Sequence, residues 1–253
     1  MPNKLTEIVC HRGANQYAPE NTRASAQLCI DWGMEWLEVD VNTSRDGVMY
    51  LFHGPDLSRT TGVGGKIYEW DSKDLDRLDC GSWFDPSFAD ERIPRLEEFL
   101  SWIDHRIRIF FDVKYADLQP LVRMIYALDM QDECFFWFGR EKFVHAFREV
   151  TQSLPLKINV STPDDVVRAK RDYNASIVEL SLADMSNTLA ETCTRSGIKT
   201  MIMHSRNDPT AFRRILEWGV DLVNVDHGDV FLRCRNEYLS ALDGAGAEPG
   251  AGK

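Results

Sequence analysis

The sequence predicts a (β/α)8 barrel, and three observations carry that expectation. Its 253 residues suit one large α/β domain better than two small ones, and 43% apolar content is enough for a sizeable core. From the middle of the chain onward, short β-branched or aromatic runs alternate with helical stretches. The strand starts there lie roughly two dozen residues apart, the length of one βα unit.

In chain order, strands fall near 8–12, 36–41, 107–113, 133–138, 156–160, 176–180, 199–203 and 221–225. Helices follow at 22–32, 95–104, 117–129, 141–151, 163–172, 186–196, 209–218 and 230–241. Ser161-Thr162-Pro163 and Asp208-Pro209 pair an N-cap with proline in the first turn, and Gly197 and Gly219 stand where helices should stop. Phe212, Ile215 and Leu216, and likewise Phe143, Phe147 and Val150, recur at helical spacing as buried faces. One segment breaks the alternation. WLEVDV (36–41) is followed at once by VMYLFH (48–53), too close for a parallel crossover, and Asp46-Gly47 between them is a hairpin signal. The second strand therefore runs past the barrel rim and returns, bringing His53 to the level of Glu38 and Asp40. An insertion over 42–92 covers the same end, so one domain spans 1–243 and a flexible Gly/Ala-rich tail occupies 244–253.

A net charge of −11 argues against nucleic acid or anionic membrane as partner, since both need a basic footprint. No apolar run reaches the ~18 residues of a membrane span, and the opening MPNKLTEIVCHRG has no secretory core. Cysteines at 10, 29, 80, 134, 193 and 234 show no CxxC spacing, which predicts reduced thiols in the cytoplasm without disulfides or a zinc site. Surface helices permit a homo-oligomer, but no residue pattern specifies one.

Barrel active sites lie at the C-terminal strand ends. There the chain places His11-Arg12-Gly13, then Glu38 and Asp40 on one strand face, then Asp112 and Lys114 on another. Three converging carboxylates need neutralising, and a hard divalent cation, Mg2+ or Ca2+, does this with oxygen ligands. His11, Arg12, His53 and Lys114 around it suit a small anionic substrate and proton transfer, as in phosphoester hydrolysis. His105, His145 and His227 read as structural, Asp226 as a helix N-cap, and FFWF (135–138) as strand core with at most one ring reaching the site.

The stretches HRGANQYAPENTRASAQ, EVDVNTSRDGVMYLFHGPDLSRTTG, CGSWFDPSF and IPRLEEFL resemble the glycerophosphodiester phosphodiesterase family. The likeness is strong over the N-terminal half and is mainly one of strand–helix rhythm beyond it. It implies a metal-dependent barrel hydrolase that yields glycerol 3-phosphate and an alcohol. By motif, His11 and His53 become the acid/base pair, Glu38, Asp40 and Asp112 the metal ligands, and Arg12 and Lys114 the phosphate contacts. Glu20 and Asn21 become supports for His11 and Arg12.

The chain departs from the family pattern at three places. Asp112 replaces a glutamate, as in related barrel phospholipases of the sphingomyelinase D type. Gly54 replaces an aspartate beside His53, which Asp56 could supply only if its loop bends back. Met203-His204 replaces a Trp-Thr pair, so that Met203 and His204, with Trp83, Phe84 and Trp137, would form the pocket wall. The alternatives are a sugar phosphodiester as substrate, a phospholipase D-like cyclising reaction, and a non-catalytic phosphodiester-binding barrel.

Overall fold

Strand β1 (Glu7–Cys10) leads to helix α1 (Arg23–Asp31), β2 (Trp36–Thr43) and the return strand β3 (Met49–Leu51). The excursion carries two single-turn helices, α2 (Ser58–Thr61) and α3 (Ser72–Leu75). Regular alternation resumes with α4 (Leu96–Ile103), β4 (Arg108–Val113), α5 (Leu118–Ala127), β5 (Cys134–Phe138) and α6 (Glu141–Val150). It continues through β6 (Lys157–Asn159), α7 (Pro163–Tyr173), β7 (Ile177–Leu180), α8 (Asn187–Ser196), β8 (Lys199–His204), α9 (Pro209–Trp218), β9 (Leu222–Val225) and α10 (Gly228–Gly246). This computed structural model describes residues 5–246. The last helix runs past the expected start of the tail at 244, and 247–253 lie outside the described residues.

Eight parallel strands follow one another in the order β5-β4-β2-β1-β9-β8-β7-β6, and a parallel bridge between Phe136 and Leu156 nearly closes the ring. β3 lies outside the ring, antiparallel to β2 with Val41 opposite Leu51, which is the expected hairpin. The helix signals act as read: Thr162 and Asp208 accept hydrogen bonds from the first turns of α7 and α9, while Gly197 and Gly219 end α8 and α9 at φ 62°.

The two-residue strand period sorts the side chains. Val39, Val41, Phe111, Val113, Phe136, Val178, Ile202 and Val223 face outward, into the main core beneath the helices. Val9, Trp36, Phe110, Phe135, Ile177, Met201 and Leu222 fill the barrel interior. Below them Glu7 accepts from Trp36 Nε1 (2.7 Å) and Arg108 (2.9 Å), sealing the N-terminal end. The excursion builds a third cluster from Tyr50, Phe52, Leu57, Ile67, Leu75, Cys80 and Ile93. That separate core holds the excursion over the mouth and with it His53. Among the described residues no helix is long and apolar enough to cross a membrane.

Candidate active site

Polar residues continue the inward-facing rows past the apolar layer, so strand parity places the site at the C-terminal mouth. On β2, Glu38 (1% exposed) and Asp40 (0%) are fully buried, and Asp112 on β4 sits beside them in register with Asp40. Each of the three offers an oxygen within 4.8 Å of the others.

Their charges are only partly answered by protein. Arg12 Nε lies 3.2 Å from Asp40 Oδ2, and Lys114 Nζ lies 3.0 Å from Asp40 Oδ1 and closer still to Asp112. Asn21 donates to Asp40 at 2.8 Å, while Glu38 accepts from the Arg12 backbone N–H at 2.7 Å. Burial, with Asp40 and Asp112 nearby, pushes the Glu38 carboxyl up to about 8. Burial also raises Asp112, to about 6, against the pull of Lys114. Asp40 is the exception, since Lys114 and Arg12 overcome its burial and hold it below the usual range. Asp112 Oδ1 is buried without a hydrogen-bond partner. A cluster of oxygen donors with mutual repulsion and an orphaned oxygen fits a hard divalent cation.

His11 follows β1 and turns its Nδ1 to Asp226 Oδ1 at 2.6 Å. That bond fixes Nδ1 as the protonated nitrogen and leaves Nε2 for chemistry. Burial opposes a charge on this ring, but the Asp226 hydrogen bond and the nearby Glu38 outweigh it, and the pKa rises. The backbone here is unusual: Arg12 has φ 55° and Gly13 has φ 85°. A Cβ on Gly13 would stand 2.4 Å from Ser25 Oγ, so the turn that aims His11 and Arg12 requires glycine.

His53 arrives from the return strand, whose Phe52 N–H bonds the Asp40 carbonyl at 2.9 Å. Burial lowers its pKa, and the Arg12 and Lys114 cations add to this against the pull of Asp40. Asp56 turns to Ser58 instead, whose N–H and hydroxyl both donate to its Oδ1, and makes no hydrogen bond to His53.

The structure thus brings His11, Arg12, Glu38, Asp40, His53, Asp112 and Lys114 to one place. The supporting residues reach Arg12 as expected but not His11. Glu20 pairs with Arg12 at 3.5 Å and with Arg59 at 2.5 Å, and Asn21 donates from its backbone N–H to the Arg12 carbonyl at 3.0 Å and from its side chain to Asp40. The residues that hold and flank His11 are Asp226, read from sequence as an N-cap, and Asn15, which donates to Asp226 at 2.7 Å. Arg59, also missed, lies over the excursion's Trp83 ring at 5.8 Å.

The expected pocket wall is split. Trp137 is at the mouth, with Lys157 Nζ 4.6 Å and Lys114 Nζ 5.6 Å from its ring centroid. Met203 shares the inward parity of Met201 and lines a groove at the strand ends. His204 has the opposite parity and packs edge-on against Phe212 of α9, away from the mouth. Trp83 is 41% exposed and bonds the Cys80 carbonyl, and Phe84 packs between Trp83 and Phe88, so both belong to the outer excursion.

Comparison with known proteins identifies relatives of the same fold. The Glycerophosphoryl diester phosphodiesterase family model matches residues 11–124. A solved glycerophosphodiester phosphodiesterase from Agrobacterium tumefaciens shares 31% identity over 89% of this chain and 98% of its own, with a TM-score of 0.86. A phosphodiesterase from Oleispira antarctica, solved with the product sn-glycerol-3-phosphate, has the same fold (24% identity over 92% and 97% of the two chains, TM-score 0.83). A Bacillus subtilis glycerophosphodiester phosphodiesterase is 22% identical over 91% of this chain and 86% of its own. The fold is therefore shared along nearly the whole length, and the chain belongs to the glycerophosphoryl diester phosphodiesterase family and with it to the phosphoric diester hydrolases.

Proposed function

We propose that this protein hydrolyses a glycerophosphodiester to glycerol 3-phosphate and an alcohol, with His11 and His53 as the proton-transfer pair. The observation that carries the reading is the meeting of two histidines and two cations around three carboxylates that share a 4.8 Å space. Glu38, Asp40 and Asp112 would hold Mg2+ or Ca2+. Such an ion supplies positive charge that offsets the phosphoryl oxygens and acidifies the attacking hydroxyl.

The remaining work falls to side chains. Arg12 and Lys114 bind phosphoryl oxygens and orient the diester. His53, kept neutral by burial and its cationic neighbours, takes the proton of the attacking hydroxyl. His11, held protonated by Asp226, gives a proton from Nε2 to the departing alkoxide. Water as the attacking group gives linear glycerol phosphate, whereas a neighbouring substrate hydroxyl gives a cyclic phosphate. Six free cysteines fit a reducing compartment such as the cytoplasm.

Phosphorus NMR of a panel of glycerophosphodiesters and sugar phosphodiesters, run with Mg2+, with Ca2+ and with chelator, tests the reading. Cation-dependent release of glycerol phosphate is expected, lowered roughly 10²–10⁴-fold in His11→Ala. Unchanged turnover in a folded His11→Ala protein, or full activity in chelator, would overturn it.

A further inference from the structure

The half of the mouth above β5–β8 contains polar groups that the proposed reaction does not use. Lys157, 2% exposed inside the barrel, places Nζ 3.1 Å from Glu179 Oε2 on the neighbouring strand. A buried ion pair gains little over well-packed hydrocarbon, so barrel stability alone does not call for it. Asn224 on β9 is 4% exposed, and its Oδ1 has no hydrogen-bond partner. Its register neighbour on β8 is Met203.

Of these residues, Glu179 and Met203 border open space. Glu179 and Met203 line a groove of about 490 Å³, and Trp137 lines an adjoining one of about 380 Å³. The two share Asn159, Asp165 and Arg168, so they join at the end of β6, and the second continues between α6 and α7 past Val144 and Ala169. This is where the larger arm of a diester has room.

The chemistry of the cleft discriminates among alcohols. Two ion pairs are closed within it, Lys157 with Glu179 and Arg168 with Asp165 at 2.9 Å, while Asp184 accepts from the Ser181 hydroxyl at 2.7 Å. Trp137 already has two ammonium groups against its ring, so it cannot serve as a platform for a third cation such as choline or ethanolamine. What remains is capacity to accept hydrogen bonds. A carboxylate has about four acceptor positions, and Lys157 takes one at Glu179.

We propose that Glu179, positioned by Lys157 and assisted by Asn224, selects the alcohol that leaves, favouring a neutral polyol over an amino alcohol. The inference rests on the diesterase reading above. Glu179 accepts hydroxyl protons directly. Lys157 acts through it as a positioning residue, fixing the carboxylate and cancelling its charge.

The test compares kcat/KM for glycerophosphoinositol and glycerophosphocholine in the cation-loaded protein and in Glu179→Gln, which keeps an oxygen for Lys157. The unaltered protein should favour the inositol diester by about tenfold or more, and Glu179→Gln should remove most of that preference through KM while leaving the choline diester within about twofold. A preference for the choline diester, an unchanged ratio in the variant, or equal losses on both diesters would overturn the assignment and leave the diesterase reading standing. A protein inactive on every diester would remove both. A second measurement needs no variant: free inositol should inhibit the unaltered enzyme competitively and choline should not, and absence of inositol inhibition would also overturn the proposal.

Discussion

Asp226 decides how His11 behaves. Its carboxylate accepts from Nδ1 at 2.6 Å, keeps the imidazole in one tautomer and raises its pKa. With His53 shifted the other way, the rate should follow a bell: an acid limb below the ordinary histidine value, where His53 takes up a proton, and an alkaline limb above it, where His11 loses one. Asp226→Asn should lower kcat on the order of 10²-fold and move the alkaline limb to lower pH. A pH–rate profile of the variant with an unmoved alkaline limb would deny Asp226 this role. At this scale the sequence was legible where residues sat inside motifs and opaque where they did not. His11, Glu38, Asp40, His53, Asp112 and Lys114 announced themselves by parity and spacing. Asp226 precedes a helix, where capping is the commoner use of aspartate, and only the pairing of β9 with β1 brings it beside His11. Lys157 is a lone cation in an apolar run, with no sequence signal of its buried partner twenty-two residues on.

Among the elements, α6 carries one side chain that bonds several carbonyls beyond its own helix. Arg148 is 8% exposed and donates to the carbonyls of Tyr173 (2.6 Å), Leu154 (2.9 Å), Asn174 (3.3 Å) and Thr151 (3.4 Å). These are the ends of α6 and α7 and the loop entering β6, the weakly paired side of the barrel. Arg148→Ala would orphan these carbonyls and should cost about 2–4 kcal/mol, measured by denaturant unfolding. A loss below about 0.5 kcal/mol would show that water replaces the guanidinium without penalty. The sequence foresaw the βα rhythm closely because caps and stops are local signals. It read the hairpin from Asp46-Gly47 and could not show how Asp46 anchors it. Ser72, supplied from α3, donates to that carboxylate from both N and Oγ, a contact that chain spacing does not encode. His204 was misplaced for the opposite reason: a strand end fixes the height of a residue at the mouth, and parity alone fixes its direction.

For the whole molecule, the excursion and the barrel contribute one histidine each, and the barrel supplies the carboxylates. Every proposed ligand and proton carrier from His11 to Lys114 comes from the first half of the chain, as does the matched span of the family, 11–124. The second half supplies the residues proposed to floor and wall the site: Trp137, Lys157, Glu179, Met203 and Asn224. It also supplies Asp226, whose strand β9 pairs with β1 along its whole length, from Glu7 opposite Leu222 to Cys10 opposite Val225. A chain emerging from the ribosome has therefore delivered the proposed cation ligands long before it delivers the carboxylate that aims His11. Competence to bind a cation and competence to turn over substrate should appear as separate events in refolding, the first with the docking of β2 and β4 and the second when β9 zips onto β1. Stopped-flow refolding that followed cation uptake and product formation together would show the lag, and simultaneous onset would mean that the ring closes before its first half is ordered. On the proposed reading, the pairing of the last strand with the first orders these events in time, since an unfinished barrel would gather a metal before it could spend it on a substrate.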